Sequence, residues 1–162
     1  MVRLFPFYLL TEISNFVIVK PSGSKFCYAE ERDADLMRAY NEKIAECSFI
    51  RLPELLEKVV NSPSARYWVS EERAAIVLSA MFRGDRLEKM SRMKREMYTD
   101  LFAEAKEIRK AHPDWSIADI AFHASRRPAR KFYMLATSAK VIISKIKKRW
   151  LRERRQRLRH LF

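Results

Sequence analysis

Fourteen of the chain's 33 lysines and arginines fall in its last 37 residues, where the only carboxylate is Glu153. The first 125 residues hold 19 cations and 19 carboxylates, so the whole net charge of +13 belongs to this C-terminal stretch. Its cations come in two groups. Arg126, Arg127, Arg130 and Lys131 lead directly into Phe132-Tyr133. Lys140, Lys145, Lys147, Lys148, Arg149, Arg152, Arg154, Arg155, Arg157 and Arg159 follow a Pro-free run that reads as one helix. Guanidinium and ammonium groups at this density neutralise phosphates and release their counterions. The asymmetry points to a polyanionic partner, either nucleic acid or an anionic membrane face. Little apolar surface accompanies residues 152–160, which disfavours the membrane.

Other chemistry finds less support. No serine sits in a nucleophile-elbow context. With Gly23 and Gly84 as the only glycines, no Gly-rich phosphate loop can form. Cys27 and Cys47 lack metal-ligand spacing with His112, His123 or His160. Asp114 and Asp119 flank a helix start and read as caps. The expectation is a non-enzymatic protein with no cofactor, in a reduced, cytoplasmic compartment. The apolar stretch from Leu4 to Val19 is too short and too interrupted for a membrane span. It also lacks a signal-peptide cleavage site.

The elements that must position the cations appear twice. Pro63-Ser64-Ala65-Arg66-Tyr67-Trp68-Val69 is matched 65 residues on by Pro128-Ala129-Arg130-Lys131-Phe132-Tyr133-Met134, without a gap. Upstream, Asp35-Leu36 falls on Asp100-Leu101, and Leu52 and Leu55 fall on Ile117 and Ile120. Only six of 47 positions from Asp35 to Met81 are identical. What recurs is residue class, which is what a repeated packing unit keeps. Leu36, Met37, Tyr40, Ile44 and Cys47 recur at helical spacing. A second helix starts at Leu52-Pro53 and stops at Asn61-Ser62-Pro63. Ser70 caps a third, with Glu71 and Glu72 in its first turn and Gly84 at its end. Met90, Met93 and Met97 are spaced as core filling in a helical bridge. Ser116 caps the next helix beside Trp115.

The expected fold is mostly α. Two tandem three-helix repeats, residues 35–84 and 100–150, are joined by a helical bridge, residues 85–99. A small N-terminal β-hairpin within residues 1–34 pairs Phe16–Val19 with Phe26–Tyr28, and residues 151–162 form a basic C-terminal arm. The helix, helix, connector, helix order resembles helix-turn-helix modules at the level of architecture, over most of residues 35–150. It departs from them in the connectors, Asn61–Val69 and Arg126–Met134, which exceed the usual turn of about 3–4 residues. The paired Pro-Ala-x-Arg-Phe-Tyr-like stretches also resemble those of small bacterial phage and mobile-element proteins. That resemblance implies an origin and no mechanism.

Glu71-Glu72 would repel phosphate, whereas the matching Ala136-Thr137 would not. The expectation is that the second repeat, with Arg126, Arg127, Arg130 and Lys131, contacts nucleic acid, DNA before RNA. The first repeat is left to packing or a protein partner. Arg66 is read as structural and Lys131 as a phosphate contact. The pairs Tyr67-Trp68 and Phe132-Tyr133 are read as anchors of the connectors, since the near-neutral first repeat keeps its pair too. The alternative is an interaction or structural protein whose basic tail docks an acidic partner.

Overall fold

The computed structural model describes residues 28–159. Among them are six helices, α1 (Ala29–Ala45), α2 (Leu52–Val60), α3 (Glu71–Phe82), α4 (Arg92–Ala111), α5 (Ile117–Ser125) and α6 (Ala136–Arg159). The expected β-hairpin lies outside the described residues except for Tyr28, which precedes α1. The only β pairing among the described residues is one antiparallel bridge, Ser64 with Ala129.

Local sequence accounts for the helix ends. Pro53 stands in the first turn of α2, where its missing N–H costs nothing. The Ser70 hydroxyl accepts from Arg73 N–H at the start of α3. Ser116 and Asp119 form a reciprocal capping box on α5. Gly84, at φ 98°, ends α3. Its N–H bonds Met81 O at 3.0 Å and the next N–H, from Asp85, bonds Ala80 O at 3.1 Å. That is a Schellman closure, and it needs the left-handed residue.

The bridge is helical only in part. Residues 85–91 are not helical, and α4 begins after Ser91. Asp85 Oδ1 takes the Leu87 N–H at 2.7 Å, and Leu87 is buried at φ 56°, a left-handed conformation no helix contains.

Two cores form, and they do not follow chain order. One gathers Leu36, Met37 and Tyr40 of α1, Leu55, Leu56 and Val59 of α2, and Ala139, Ile143 and Ile146 of α6. The other gathers Ala74, Val77 and Leu78 of α3, Leu101, Ala105 and Ile108 of α4, and Ile120, Ala121 and Ala124 of α5. Each third helix therefore packs on the first two helices of the other half. Residues 35–84 and 100–150 are not the packing units.

The connectors make the exchange. Tyr67 N–H donates to Ser125 O at the end of α5 (3.1 Å), and Phe132 N–H donates to Val60 O at the end of α2 (3.0 Å). Between these, Ser64 and Ala129 exchange two N–H···O bonds of 3.0 Å each. Tyr67 and Phe132 are both buried, each in the core that does not contain the α2 or α5 helix preceding it. A turn of about 3–4 residues folds a helix back on its predecessor. The longer extended connectors carry it across instead.

These paired features stand 65 residues apart. So do both ends of α2 and α5, and the first residues of α3 and α6.

Candidate nucleic-acid interface

The second connector brings its four cations against carboxylates. Arg126 pairs with Glu71 at 2.9 Å and lies 3.6 Å from the Phe122 ring centroid. Arg127 pairs with Glu104. Arg130 reaches Glu96 and Asp100, each at 3.0 Å. Lys131 meets Glu96 at 2.6 Å and is only 18% exposed. Four cations thus face four carboxylates, and the group is neutral as a whole. Asp100 foremost holds the Arg130 guanidinium more firmly protonated. The Lys131 bond, ahead of burial's opposing effect, holds the Glu96 carboxyl below the usual glutamate range.

Arg66 and Lys131 play matching parts. Arg66 lies 4.0 Å from Glu31 and its guanidinium sits 5.6 Å from the Trp68 ring. Lys131, beside Glu96, sits 5.5 Å from the Tyr133 ring. The expected contrast between a structural Arg66 and a phosphate-contacting Lys131 is thus absent from the packing. Burial of the paired aromatics differs by position. Tyr67 and Phe132 are buried, while Trp68 and Tyr133 are half-buried.

Tyr133 adopts φ 49°, a strained value for a ring-bearing residue that costs about 1–3 kcal/mol. Its hydroxyl donates to Asp100, and its ring stacks on Tyr67 with centroids 6.1 Å apart. Burial and the neighbouring Asp100 push the Tyr133 phenol well up. Asp35, the residue matching Asp100, also holds its connector. It accepts from Ala65 N–H at 2.8 Å and from Arg38 at 2.6 Å.

The arm is different. Ile146 is the last buried residue of α6, and residues 147–159 are all exposed. Those 13 residues carry eight cations and one carboxylate. Lys147 donates to the Tyr40 hydroxyl at 2.7 Å and lies over that ring at 4.2 Å. Arg149 approaches Glu153 at 4.0 Å. Lys148, Arg152, Arg154, Arg155, Arg157 and Arg159 have no carboxylate within ion-pair distance among the described residues. Lys148, Arg152, Arg155 and Arg159 recur at steps of four, three and four, so they share one helix face about 16 Å long. It lies roughly opposite the Ala139, Ile143 and Ile146 row that enters the core. Lys140 and Lys145 lie nearer the start of α6 and are exposed as well.

The structure therefore does not merge the two groups of cations. Lys131 precedes the first turn of α6 and Arg159 ends it, a helix about 36 Å long at 1.5 Å per residue. Sequence reasoning missed the carboxylates Glu96, Asp100 and Glu104. One signal was present: Glu31 and Glu96 each stand 35 residues before the cation they pair with.

Among the described residues no group of three or more His, Cys, Asp or Glu is placed to hold a metal ion. No helix among them is long and apolar enough to cross a membrane. No family model matches the chain, and no curated protein or solved structure matches it either.

Proposed function

We propose that this protein binds nucleic acid without catalysis, duplex DNA before RNA, through the basic arm of α6. The observation that carries the reading is the set of eight cations on residues 147–159, exposed beyond the last core residue of α6 in a stretch whose one carboxylate is Glu153. A helix of this charge neutralises phosphates from several sides at once, a term that gives affinity and little sequence choice. The connector cations Arg126, Arg127, Arg130 and Lys131 are neutralised by carboxylates of α3 and α4 and contribute little to binding. The chain is read as an internal duplication whose halves exchange their third helices. That exchange fixes the root of the arm on α1 and α2.

Deleting Arg152–Phe162 tests the reading. It removes five arginines and Glu153 and leaves in place every residue that is buried among those described. Affinity for duplex DNA should fall across all sequences, with a salt dependence shallower by roughly 2–4 units of slope, while the thermal midpoint holds. Unchanged affinity and slope would end the proposal.

A second reading, a protein-interaction role for the first half, is favoured by its exposed apolar residues. Phe49 is 75% exposed, and Ile50 and Leu52 are exposed beside it. A cleft of ≈ 400 Å³ follows between α2 and α6, lined by Leu52, Pro53, Leu56 and Ala136. Retention of the full chain by a protein partner that is lost on Phe49→Ser with Leu52→Ser, with no binding to nucleic acid at low salt, would move the function there.

A further inference from the structure

Away from the arm, a cleft is lined by three cations and, among the described residues, by no carboxylate. It opens between the first connector and the starts of α3 and α4, with a volume of ≈ 380 Å³. Trp68, Val69 and Tyr98 are among its walls, and Arg73, Lys89 and Lys94 also line it. Val69 and Tyr98 are buried, whereas the three cations are exposed. None of the three lies within ion-pair distance of a carboxylate among the described residues, unlike Arg66 or the cations of the second connector. Burial pushes the Tyr98 phenol's pKa up, and the Arg73 guanidinium acts the other way.

Three like charges around a partly apolar cleft repel one another, and an oxyanion set between them reverses the sign of each interaction. The start of α4 adds to the same field. Its first turn holds no carboxylate, so the positive end of the helix dipole is uncompensated there. A bare ion would leave most of the space unfilled. The volume is that of a small-molecule site, about 300–1,000 Å³, and the aromatic and apolar wall suits a ring.

We propose that this cleft binds a nucleotide unit, a planar base carrying a phosphoryl group. Arg73, Lys89 and Lys94 hold the phosphoryl oxygens, and the wall around Trp68 and Tyr98 receives the base. The unit is either a free mononucleotide or the 5′-phosphorylated end of a strand. The site stands apart from the arm, so neither proposal depends on the other.

Titration calorimetry on the full chain tests it with 5′-AMP, adenosine and inorganic phosphate at physiological salt. AMP should bind at one site, with adenosine and phosphate each weaker by about tenfold or more, the scale of one lost charge-assisted contact. Lys89→Glu with Lys94→Glu should weaken AMP by at least about tenfold at an unchanged thermal midpoint. Lys89→Gln with Lys94→Gln serves if the reversal unfolds the protein. Arg152→Glu with Arg155→Glu should leave AMP binding unchanged while weakening duplex DNA. Displacement of AMP by a 5′-phosphorylated oligonucleotide, and not by its 5′-hydroxyl form, identifies the strand end as the source. Displacement by neither identifies the free nucleotide. No AMP binding, equal binding of adenosine or phosphate, or AMP binding lost in the arm variant and kept in the lysine variants, would each overturn the site.

Discussion

Removing two charges from the arm and two from the second connector should have different consequences. The perturbations are Arg152→Gln with Arg155→Gln, and Arg130→Gln with Lys131→Gln. Each phosphate contact contributes about 0.9 to the slope of log K against log salt on duplex DNA. Losing two arm contacts should make the slope shallower by about 1.8 and, at 0.1 M salt, lower affinity by about sixtyfold. The connector pair is already neutralised by Glu96 and Asp100. Between Ala136 and Lys148 lie about 18 Å of helix, beyond the Debye length of about 10 Å at 0.1 M salt. Its loss should change the slope by less than about 0.3 and affinity by no more than about threefold. The thermal midpoint should fall instead, because Glu96 and Asp100 lose their cationic partners and the connector loosens on α4. Fluorescence anisotropy on a labelled duplex, with the thermal midpoint measured in parallel, reads both. An equal loss of slope from the two double variants, at equal stability, would refute the division between a structural connector and a binding arm.

The remaining predictions concern the scaffold. Asp35→Ala leaves the Ala65 N–H without its acceptor and should cost about 1–3 kcal/mol. At about 2–4 °C per kcal/mol for a chain of this size, that is visible in a melting curve; no change would mean Asp35 does not hold the first connector. Leu36→Ala and Leu101→Ala, both fully buried and 65 residues apart, should each cost about 2–5 kcal/mol in urea unfolding. A negligible loss from either would show that its core is not closed in solution. Because Lys131 depresses Glu96, its contribution to stability is present above the ordinary glutamate range and disappears as pH falls through the lowered folded value. Glu96→Gln should therefore flatten the acid limb of the stability profile, and an unchanged limb would show that the pair does not form.

The helices were legible because their signals are local. Pro63 and Pro128 stop α2 and α5, Ser70 and Ser116 cap α3 and α5, and Gly84 ends α3. The arm was legible for the same reason, since charge density needs no partner to be read. The exchange of third helices was not. It rests on backbone bonds from Tyr67 to Ser125 and from Phe132 to Val60, and a backbone N–H carries no residue signature. The length of Asn61–Val69 was the one hint, as it exceeds what a helix needs to turn back. The fate of Arg126, Arg127, Arg130 and Lys131 was hidden too. Glu71, Glu96, Asp100 and Glu104 lie 23 to 55 residues away in sequence from the cations they meet. A cation that looks free in sequence is free only if the fold leaves it so. The left-handed Tyr133 is held by Asp100, 33 residues away, a contact that no short-range pattern encodes.

The salt dependence of duplex DNA binding by the full chain tests the central claim most directly. Six arm cations stand free of carboxylates among the described residues, Lys148, Arg152, Arg154, Arg155, Arg157 and Arg159. If most of them meet phosphates, log K should fall linearly against log salt with a slope of about −4 to −6, and the same slope should appear for unrelated sequences. A slope shallower than about −2, or no binding at low salt, would contradict a nucleic-acid role for the arm.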